Sequence, residues 1–416
     1  MADLSRNPAV LSSGATAPWL TIVGLGEDGR AGLSATALAA LDDAELVVGG
    51  ARHLALVAPL AAETMAWPSP IQEAFPAILA RRGGRVCVLA SGDPFHYGVG
   101  VQLAALVAVD EMHVLPQPSA FSLAAARLGW AQQDCALVSL HGRPLERIVP
   151  SLQPGAHILA LSWDGTTPAR LATLLAERGF GASTIVILEA LGGPRERIRR
   201  ATAEDFALDA IDPLNTIAID VVAGPAARPL PLTPGLDDDR FATDGQLTKA
   251  EIRAVTLSAL GPRRGQILWD IGAGSGSIAI EWCLSHPANR AFAVEARPDR
   301  TERIKANALE LGAPDVTLVP GEAPAALTGL PAPDAVFIGG GVNDAGVFEA
   351  AWAGLKSGGL LVANVVTLEG EARLAALFAS HGGTMRRIAV ARLDAIGGMH
   401  GWRPAMPVTQ WRVRKP

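Results

Sequence analysis

The sequence predicts an α/β protein built from two domains. At 416 residues the chain is long for a single hydrophobic core. Short apolar runs alternate with helix-period segments along most of it, which is typical of parallel strands with helices on both faces. One stretch rich in proline and glycine, "AGPAARPLPLTPGLDDDR" at 223–240, interrupts the alternation. We expect a linker at 224–239 between domains at 18–223 and 240–416. A long surface loop or an edge connection is the alternative.

The first half begins with a predicted loose arm at 1–17. Apolar runs then predict strands at 19–24, 45–49, 85–90, 135–140, 156–162, 184–190 and 215–222. Helix-period segments lie between most of them, including "IQEAFPAILARR" and "PARLATLLAERG". We therefore expect parallel strands with helices on the sheet faces.

The second half restarts the alternation with the helical segment "KAEIRAVTLSAL". Strands are predicted at 266–270, 291–295, 315–319, 334–338, 359–366, 384–391 and 408–414. The helix predicted at 298–311 has Pro298 in its first turn and Gly312 where a left-handed residue ends a helix. No clear helix separates the last two strands. The sequence therefore predicts a seven-stranded sheet that ends in an antiparallel hairpin.

Composition excludes several classes of function. The formal net charge of −6 argues against general nucleic-acid binding. The three cysteines form no C-x-x-C pair and the eight histidines show no metal motif, so we expect neither disulfides nor a metal. The N-terminus lacks a leader pattern, and no apolar run approaches the roughly 20 residues that span a membrane. These features favour a cytoplasmic protein and leave homo-oligomerisation open.

The stretch "LWDIGAGSGSIAIEW" at 268–282 predicts a ligand-binding loop between a strand and a helix. Glycine lets the backbone approach a ligand, and the following helix directs free N–H groups toward it. The G-x-G-x-G spacing differs from the dinucleotide pattern G-x-G-x-x-G. Glu295, at the end of the next strand, is placed to accept both hydroxyls of a ribose. A nicotinamide enzyme also has an acid there, so a nicotinamide site is the alternative.

The G-x-G-x-G loop resembles that of class I methyltransferases, which have a Rossmann-like fold and use S-adenosylmethionine. "VPGEAPAAL" and "PDAVFIGGG" follow later strands and face the same cleft. Together with "GQLTKAEIRAVTLSALGP" and "SGGLLVANVVTLE", these motifs make residues 240–416 similar to the CbiT family. That family methylates a reduced tetrapyrrole at C15 and decarboxylates its C12 acetate. The resemblance implies contacts to S-adenosylmethionine from Thr248, Gly272, Ala273, Gly274, Ser275, Gly276, Glu295, Gly321, Glu322 and Ala323.

The first half has its own glycine loop, "VGLGEDG", in which Gly24, Gly26 and Gly29 match G-x-G-x-x-G. Glu27 and Asp28 lie inside this loop and would repel a pyrophosphate, whereas a cationic ligand would tolerate them. No helix is expected at the third glycine, because Ser34 is a better N-cap. The pattern therefore does not indicate a dinucleotide site.

"VLASGDPFHYGVG" and "PSAFSLAAARLGW" resemble the tetrapyrrole methylases, a two-lobed fold that binds S-adenosylmethionine between its lobes. "LHGRP", "LSWDGTTPARLA" and "EALGGPRERI" are similar to the CbiE branch, which methylates C5. The resemblance spans 19–223. It implies cofactor contacts from Gly24, Gly26, Ser91, Gly92, Asp93, Ser119, Ala120 and Trp163.

A chain that joins these halves resembles the CobL-type family of cobalamin biosynthesis, with two S-adenosylmethionine sites and one precorrin substrate. Because the substrate carries several carboxylates, arginines are expected in both clefts. The candidate substrate-binding residues are Arg143, Arg195, Arg197, His400, Trp402 and Arg403. "RERIRR" at 195–200 is either an exposed strand face or a binding patch. No catalytic acid–base pair is identified. The alternatives are a methyltransferase that acts on RNA or another tetrapyrrole, an enzyme like diphthine synthase, or an S-adenosylmethionine-binding regulator with one inactive half.

Overall fold

The computed structural model describes residues 18–416, so the arm predicted at 1–17 lies outside the described residues. The chain divides into two compact units. The first holds the residues up to Arg143 together with Gln153–Arg228, and the second holds Pro144–Leu152 and Pro229–Pro416. From residue 18 onward, no helix is both long enough and apolar enough to cross a bilayer.

The first sheet of the first unit is entirely parallel, with strand order β3-β2-β4-β1-β5. Its central strands are buried runs of β-branched and other aliphatic residues, as expected for a parallel sheet. The predicted N-cap is confirmed, since the Ser34 hydroxyl accepts a hydrogen bond from the Ala37 N–H. The elements are β1 (Leu20–Leu25), α1 (Ala35–Asp42), β2 (Leu46–Gly49), α2 (Ala51–Val57), β3 (Glu63–Ala66), α3 (Phe75–Leu79), β4 (Val86–Ser91), α4 (Gly100–Leu103) and β5 (Met112–Leu115).

The second sheet of this unit is mixed, with strand order β6-β7-β10-β8-β9. Its elements are α5 (Ala120–Leu128), β6 (Cys135–Ser139), β7 (His157–Leu161), α6 (Thr167–Glu177), β8 (Thr184–Glu189), β9 (Arg197–Thr202) and β10 (Asn215–Asp220).

The expectation of parallel strands is wrong for this second sheet. β9 is antiparallel to β8, and β10 is antiparallel to both β7 and β8. The connection from β8 to β9 contains no α-helix, so β9 returns directly beside β8 as its antiparallel neighbour. The connection from β9 to β10 also contains no α-helix, and β10 pairs with β7 and β8, not with β9.

Two strands of the first unit, β3 and β5, escaped prediction, and both lie at sheet edges. β3 and β5 are four residues long and mostly exposed or half-buried. β9 exposes much of its length, as the strand interpretation of 195–200 expects. Edge strands bury little surface, so they carry no continuous apolar run.

The second unit has the predicted seven-stranded sheet, in the order β13-β12-β11-β14-β15-β19-β16. The first five strands in this order are parallel, and β19 is antiparallel to β15 and β16. The elements are α7 (Ala250–Leu260), β11 (Ile267–Ile271), α8 (Ser277–Leu284), β12 (Arg290–Glu295), α9 (Pro298–Glu310), β13 (Thr317–Pro320), β14 (Ala335–Ile338), α10 (Val347–Gly354), β15 (Leu360–Val365), α11 (Leu368–His381), β16 (Thr384–Ile388), β17 (Ala391–Ile396), β18 (Met399–Pro404) and β19 (Val408–Arg414).

Helices cover both faces of this sheet. Trp282 of α8 is fully buried in the core on one face, and Trp411 of β19 in the core on the other. Leu230 and Leu236, from the segment predicted as a linker, pack into the first of these cores. The α/β fold class is therefore confirmed, with a two-sheet first unit and a Rossmann-like second unit.

The sequence missed one element here. β17 and β18 form a separate two-stranded hairpin between β16 and β19. The last two strands of the main sheet are therefore antiparallel as predicted, but they are not joined directly as a hairpin. Nearly every residue of the hairpin is exposed, so it shows no alternation of buried and exposed residues to signal a strand.

Candidate functional site

The glycine loop of the second unit connects β11 to α8. Gly272, Gly274 and Gly276 have φ values of +71°, +60° and +76°, a region that favours glycine. A Cβ on Gly272 would lie 2.9 Å from the Gly340 nitrogen, so the loops after β11 and β14 touch. A Cβ on Gly276 would lie 2.6 Å from the Ile304 side chain. Gly276 therefore allows α9 to pack closely, while Gly272 and Gly274 face the cleft.

Glu295 ends β12 beside this loop. Its Oε2 accepts a hydrogen bond from the Gly274 N–H at 2.9 Å, and its Oε1 accepts one from the Arg297 N–H at 3.0 Å. The residue is only 6% exposed. Two backbone donors thus hold the carboxylate in one orientation, and each oxygen keeps a lone pair for a ligand hydroxyl.

Asp270, at the end of β11, has a structural role. Its Oδ2 accepts a hydrogen bond from the Ala279 N–H at 3.0 Å, which ties the strand to the first turn of α8. Burial, with a smaller contribution from the charge of Glu295, raises the pKa of Asp270 to about 7, against the opposing effect of the Ala279 bond.

The segment before α7 that contains Ala242 and Gln246, here called the covering segment, packs over the glycine loop. Asn307 of α9 hydrogen-bonds to both the covering segment and the loop. The Asn307 amide accepts from the Ala242 N–H at 2.8 Å and donates to the Ala242 carbonyl at 3.0 Å and the Ser275 carbonyl at 2.9 Å. The Ser275 hydroxyl donates to the Gln246 carbonyl at 2.8 Å. The covering segment and the loop are therefore held together on both sides.

Arg253 of α7 also positions the covering segment. It is completely buried and donates to the Glu281 carboxylate and to the backbone carbonyls of Leu236 and Thr248. Its guanidinium also lies 4.7 Å from the centre of the Phe241 ring. A buried charge with this many partners fixes the path of the backbone that leads to Thr248.

These elements enclose a cavity of about 1120 Å³. It opens at the carboxyl ends of parallel strands, where α/β sheets bind ligands. Nine of the ten residues predicted for the second site line it: Thr248, Gly272, Ala273, Gly274, Ser275, Glu295, Gly321, Glu322 and Ala323. The tenth, Gly276, lies behind the lining against α9.

The base of the hairpin forms another wall of the cavity, through Val390, Arg392, Ala405 and Met406. Asn364 and Thr367, at the end of β15, also line it. The stretch "ANVVTLE" belongs to a motif that indicated the family, but no role was predicted for Asn364 or Thr367. Arg392 was missed because nothing in its sequence context distinguishes it from a surface arginine.

His400, Trp402 and Arg403 lie on β18, outside the described cavity lining. All three are on the hairpin, with Trp402 72% exposed. Arg403 makes an ion pair with Asp394 of β17 at 3.1 Å. The structure thus places these candidates beyond the wall that Arg392 occupies.

In the first unit, three loops meet at the carboxyl ends of β1, β4 and β5. The Gly92 N–H donates to the Leu25 carbonyl at 3.0 Å, and the Gln117 N–H donates to the Gly92 carbonyl at 3.1 Å. A Cβ on Gly24 would lie 1.9 Å from the Gly92 carbonyl oxygen. A Cβ on Gly92, where φ is +53°, would lie 3.0 Å from the Ser119 Cα. The close approach of these loops therefore requires glycine.

With the exception of Trp163, the other residues predicted for the first site lie along these loops. Ser119 is the N-cap of α5 and Ala120 its first residue. The Asp93 carboxylate accepts from the Phe95 N–H at 2.8 Å, and the Ser91 hydroxyl lies 3.0 Å from the His53 Nε2. Gly26 lies against Asp28 in the first loop. Trp163 follows β7 of the second sheet and is 54% exposed.

The structure changes the electrostatic expectation for the first loop. The Glu27 carboxylate is neutralised by Arg52, which contacts it directly, and by Arg195 at 3.5 Å. Glu27 therefore contributes little repulsion toward an anion, contrary to the sequence-based expectation. Arg195 also pairs with Asp212.

The remaining candidates of the first unit have partners inside the protein. Arg197 donates to the Glu189 carboxylate at 2.8 Å, together with Arg199. Arg143 lies 5.6 Å from the centre of the Tyr97 ring. Across residues 18–416, no group of three or more His, Cys, Asp or Glu side chains is arranged to hold a metal ion.

The fold and the glycine-loop sites define a two-domain methyltransferase, and family comparisons agree. Residues 19–207 match the model for tetrapyrrole (corrin/porphyrin) methylases, and residues 239–415 match the model for the precorrin methyltransferase domain. A precorrin-6Y C(5,15)-methyltransferase [decarboxylating] from Sinorhizobium is 54% identical over 417 residues, covering all of both chains. The chain belongs to the precorrin-6Y C(5,15)-methyltransferase (decarboxylating) family. Membership implies the use of S-adenosylmethionine.

Two proteins of Salmonella typhimurium each match part of the chain. A cobalt-precorrin-7 C(5)-methyltransferase is 33% identical over 196 residues, covering 46% of this chain and 96% of the relative. A cobalt-precorrin-6B C(15)-methyltransferase (decarboxylating) is 32% identical over 167 residues, covering 39% of this chain and 85% of the relative.

Proposed function

We propose that this chain methylates reduced precorrin-6 at C5 and C15 and decarboxylates its C12 acetate, giving precorrin-8. The observation that carries the proposal is the full-length match, at 54% identity, to a relative named as a precorrin-6Y C(5,15)-methyltransferase [decarboxylating]. The two glycine-loop sites support it, because each lies at the carboxyl ends of parallel strands.

We assign C5 methylation to the first domain, residues 18–223, and C15 methylation with decarboxylation to the second, residues 240–416. Residues 224–239 would connect them. The Salmonella relatives support this division, since one is named for each position and each matches less than half of the chain.

Each domain would hold its own S-adenosylmethionine. In the second domain, the backbone at Gly272 and Gly274 leaves room for the ligand, and the Glu295 carboxylate would accept the ribose hydroxyls. In the first domain, the loops of Gly24, Ser91–Asp93 and Ser119–Ala120 would cradle it, with Trp163 nearby. Residues 321–323 would border the adenine of the second site.

Methyl transfer requires little general acid–base catalysis from the protein. When bound, S-adenosylmethionine supplies an electrophilic methyl group to a carbon of the reduced macrocycle that is already nucleophilic. The residues of the chain have to align the two molecules and exclude water. The covering segment clamped by Asn307 and Arg253 would serve both needs at the second site.

Decarboxylation would occur in the same cavity as C15 methylation. Methylation changes the conjugation next to C12, so the macrocycle can accept the electron pair that the departing carbon dioxide leaves behind. A poorly solvated acetate favours this loss, whereas a bidentate arginine would stabilise the starting carboxylate.

We further propose that the protein works in the cytoplasm. Cys87, Cys135 and Cys283 are free thiols, as expected in a reducing compartment. Cell fractionation tests this proposal: the protein should be recovered with the cytoplasmic fraction, and recovery from a secreted or membrane fraction would contradict it.

The test of function is incubation of the full chain with reduced precorrin-6 and methyl-labelled S-adenosylmethionine, followed by mass spectrometry. The product should gain two labelled methyl groups and lose one carbon dioxide. A product that keeps all its carboxyl groups, or that gains a single methyl at completion, would contradict the proposal.

A further inference from the structure

Arg392 lies in the cavity wall of the second unit, near the start of β17. Its guanidinium forms a bidentate ion pair with the Glu251 carboxylate: Nε lies 3.2 Å from Oε1, and Nη2 donates to Oε2. Glu251 stands in the first turn of α7 and lines the same cavity. The side chains are 48% and 46% exposed. The pair therefore sits in the cavity and not in the core.

A contribution to folding stability does not explain why an arginine stands at position 392. A half-exposed ion pair contributes little to folding, because solvent screens it and two long side chains are immobilised. In the hairpin ladder, Arg392 lies directly opposite Arg403, and like charges in that position are unfavourable. The ion pairs of Arg392 with Glu251 and of Arg403 with Asp394 reduce this repulsion.

The other cations of the cavity are held differently. Lys249 lies 3.5 Å from Asp238, and Arg300 donates to Asp244 at 2.9 Å. Both acids stand behind the described lining, so these cations are drawn away from the cavity. Arg392 has its counter-charge inside the cavity, in the space that an entering ligand would occupy.

We propose that Arg392 binds a carboxylate of the precorrin substrate and that Glu251 occupies this position until the substrate displaces it. This inference rests on the proposed function. A substrate carboxylate can replace the Glu251 carboxylate on the planar Arg392 guanidinium without moving the arginine. The bound carboxylate is not the C12 acetate, because bidentate pairing would oppose its loss as carbon dioxide.

The two partners of the ion pair are expected to act in opposite directions. In the full chain, Arg392→Gln removes the anchor and should raise both the KM and the Kd for reduced precorrin-6 about tenfold. Glu251→Gln removes the competing carboxylate and should lower both by a few-fold. Arg392→Lys keeps the charge but loses the fork and should fall between wild type and Arg392→Gln. The Kd is measured by visible absorbance without S-adenosylmethionine, and the KM by methyl transfer to C15.

The matched control is Arg373→Gln, which removes the cation of an exposed pair with Glu349 outside the cavity. It should leave precorrin binding unchanged, and none of the variants should change the KM for S-adenosylmethionine. The ratio of carbon dioxide lost to methyl gained at C15 should stay at one in Arg392→Gln.

Three results would overturn the inference while the wild type remains active: wild-type affinity in Arg392→Gln, weakened binding in both Arg392→Gln and Glu251→Gln, or an altered carbon dioxide ratio in Arg392→Gln. The last result would mean that Arg392 holds the reacting acetate. A wild-type chain that neither binds nor methylates reduced precorrin-6 would instead contradict the proposed function, and this inference with it.

Discussion

The Gly274 N–H donates a hydrogen bond to the Glu295 carboxylate, across 2.9 Å. This single contact joins the loop after β11 to the end of β12. It means that the acid and the glycine loop are positioned together, so a change in either one should be felt by the same ligand.

We expect Glu295→Gln to weaken S-adenosylmethionine binding in the second unit by about tenfold or more. The change removes the charge that strengthens hydrogen bonds from ligand hydroxyls, and it brings an amide donor near the Gly274 and Arg297 N–H groups. Calorimetry on the full chain should show one unchanged site and one weakened site. Glu349→Gln, on an exposed face, is the control and should leave both sites intact. Two unchanged sites in Glu295→Gln would disprove the role given to this acid.

Gly92→Val should abolish methylation at C5 while C15 methylation continues. A valine at φ +53° is strained, and its Cβ would lie 2.8 Å from the Pro118 carbonyl oxygen, so the converging loops would be forced apart. Product analysis by mass spectrometry and NMR locates each new methyl group. Gly274→Val, in the second unit, is the mirror variant and should show the opposite pattern. Loss of both methylations in both variants would mean one shared site or a strict order.

Asp270→Asn should make the second unit more stable at high pH. The pKa of Asp270 rises from 3.8 to about 7 on folding. Between these values the folded state keeps a proton that the unfolded state releases, so this residue lowers stability as pH rises through the window. Asparagine carries no such cost and still accepts the bond from the Ala279 N–H.

The measurement for Asp270 is the difference in Tm between Asp270→Asn and wild type across pH. It should be close to zero near pH 4 and reach roughly 10 °C in favour of the variant at pH 8. A difference that stays the same from pH 4 to pH 8 would show that the Asp270 carboxyl does not titrate in this range.

Glu189→Gln should destabilise the first unit by about 3 kcal/mol, because a buried carboxylate that neutralises two arginines is lost. Glu189 is 1% exposed and accepts hydrogen bonds from Arg197, Arg199 and the Asp212 N–H. Burial raises its pKa, but these donors outweigh burial and lower it to about 2. Denaturant unfolding at pH 7 measures the change.

Glu45→Gln is the control for Glu189, since Glu45 pairs with Arg85 on the surface. Its effect on the free energy of unfolding should stay below about 0.5 kcal/mol. Equal effects of the two substitutions would contradict the structural role of Glu189. The Glu189 contribution should also be fully present above its ordinary pKa and lost as pH falls toward 2.

Much of the site could be predicted because its signals are local. The positive φ angles of the glycine loop follow from glycines spaced two apart after a buried strand, and nine of ten residues predicted there line one cavity. Ser34 and Gly312 were identified at helix ends for the same reason, since capping depends on a few adjacent residues. The position of Arg392 in the cavity wall was not predicted, because this residue comes from a hairpin without a buried face.

The sequence by itself determined the α/β class, the seven strands of the second sheet and the position of both glycine loops. These depend on the period of apolar residues and on backbone angles that only glycine adopts readily. The tertiary structure alone decided which side chains meet across the chain. It pairs Arg392 with Glu251, neutralises Glu27 with Arg52 and Arg195, and inserts β10 between β7 and β8 as an antiparallel strand. Such contacts join residues far apart in sequence, and an ion pair or a strand order leaves no periodic trace in either partner's local sequence.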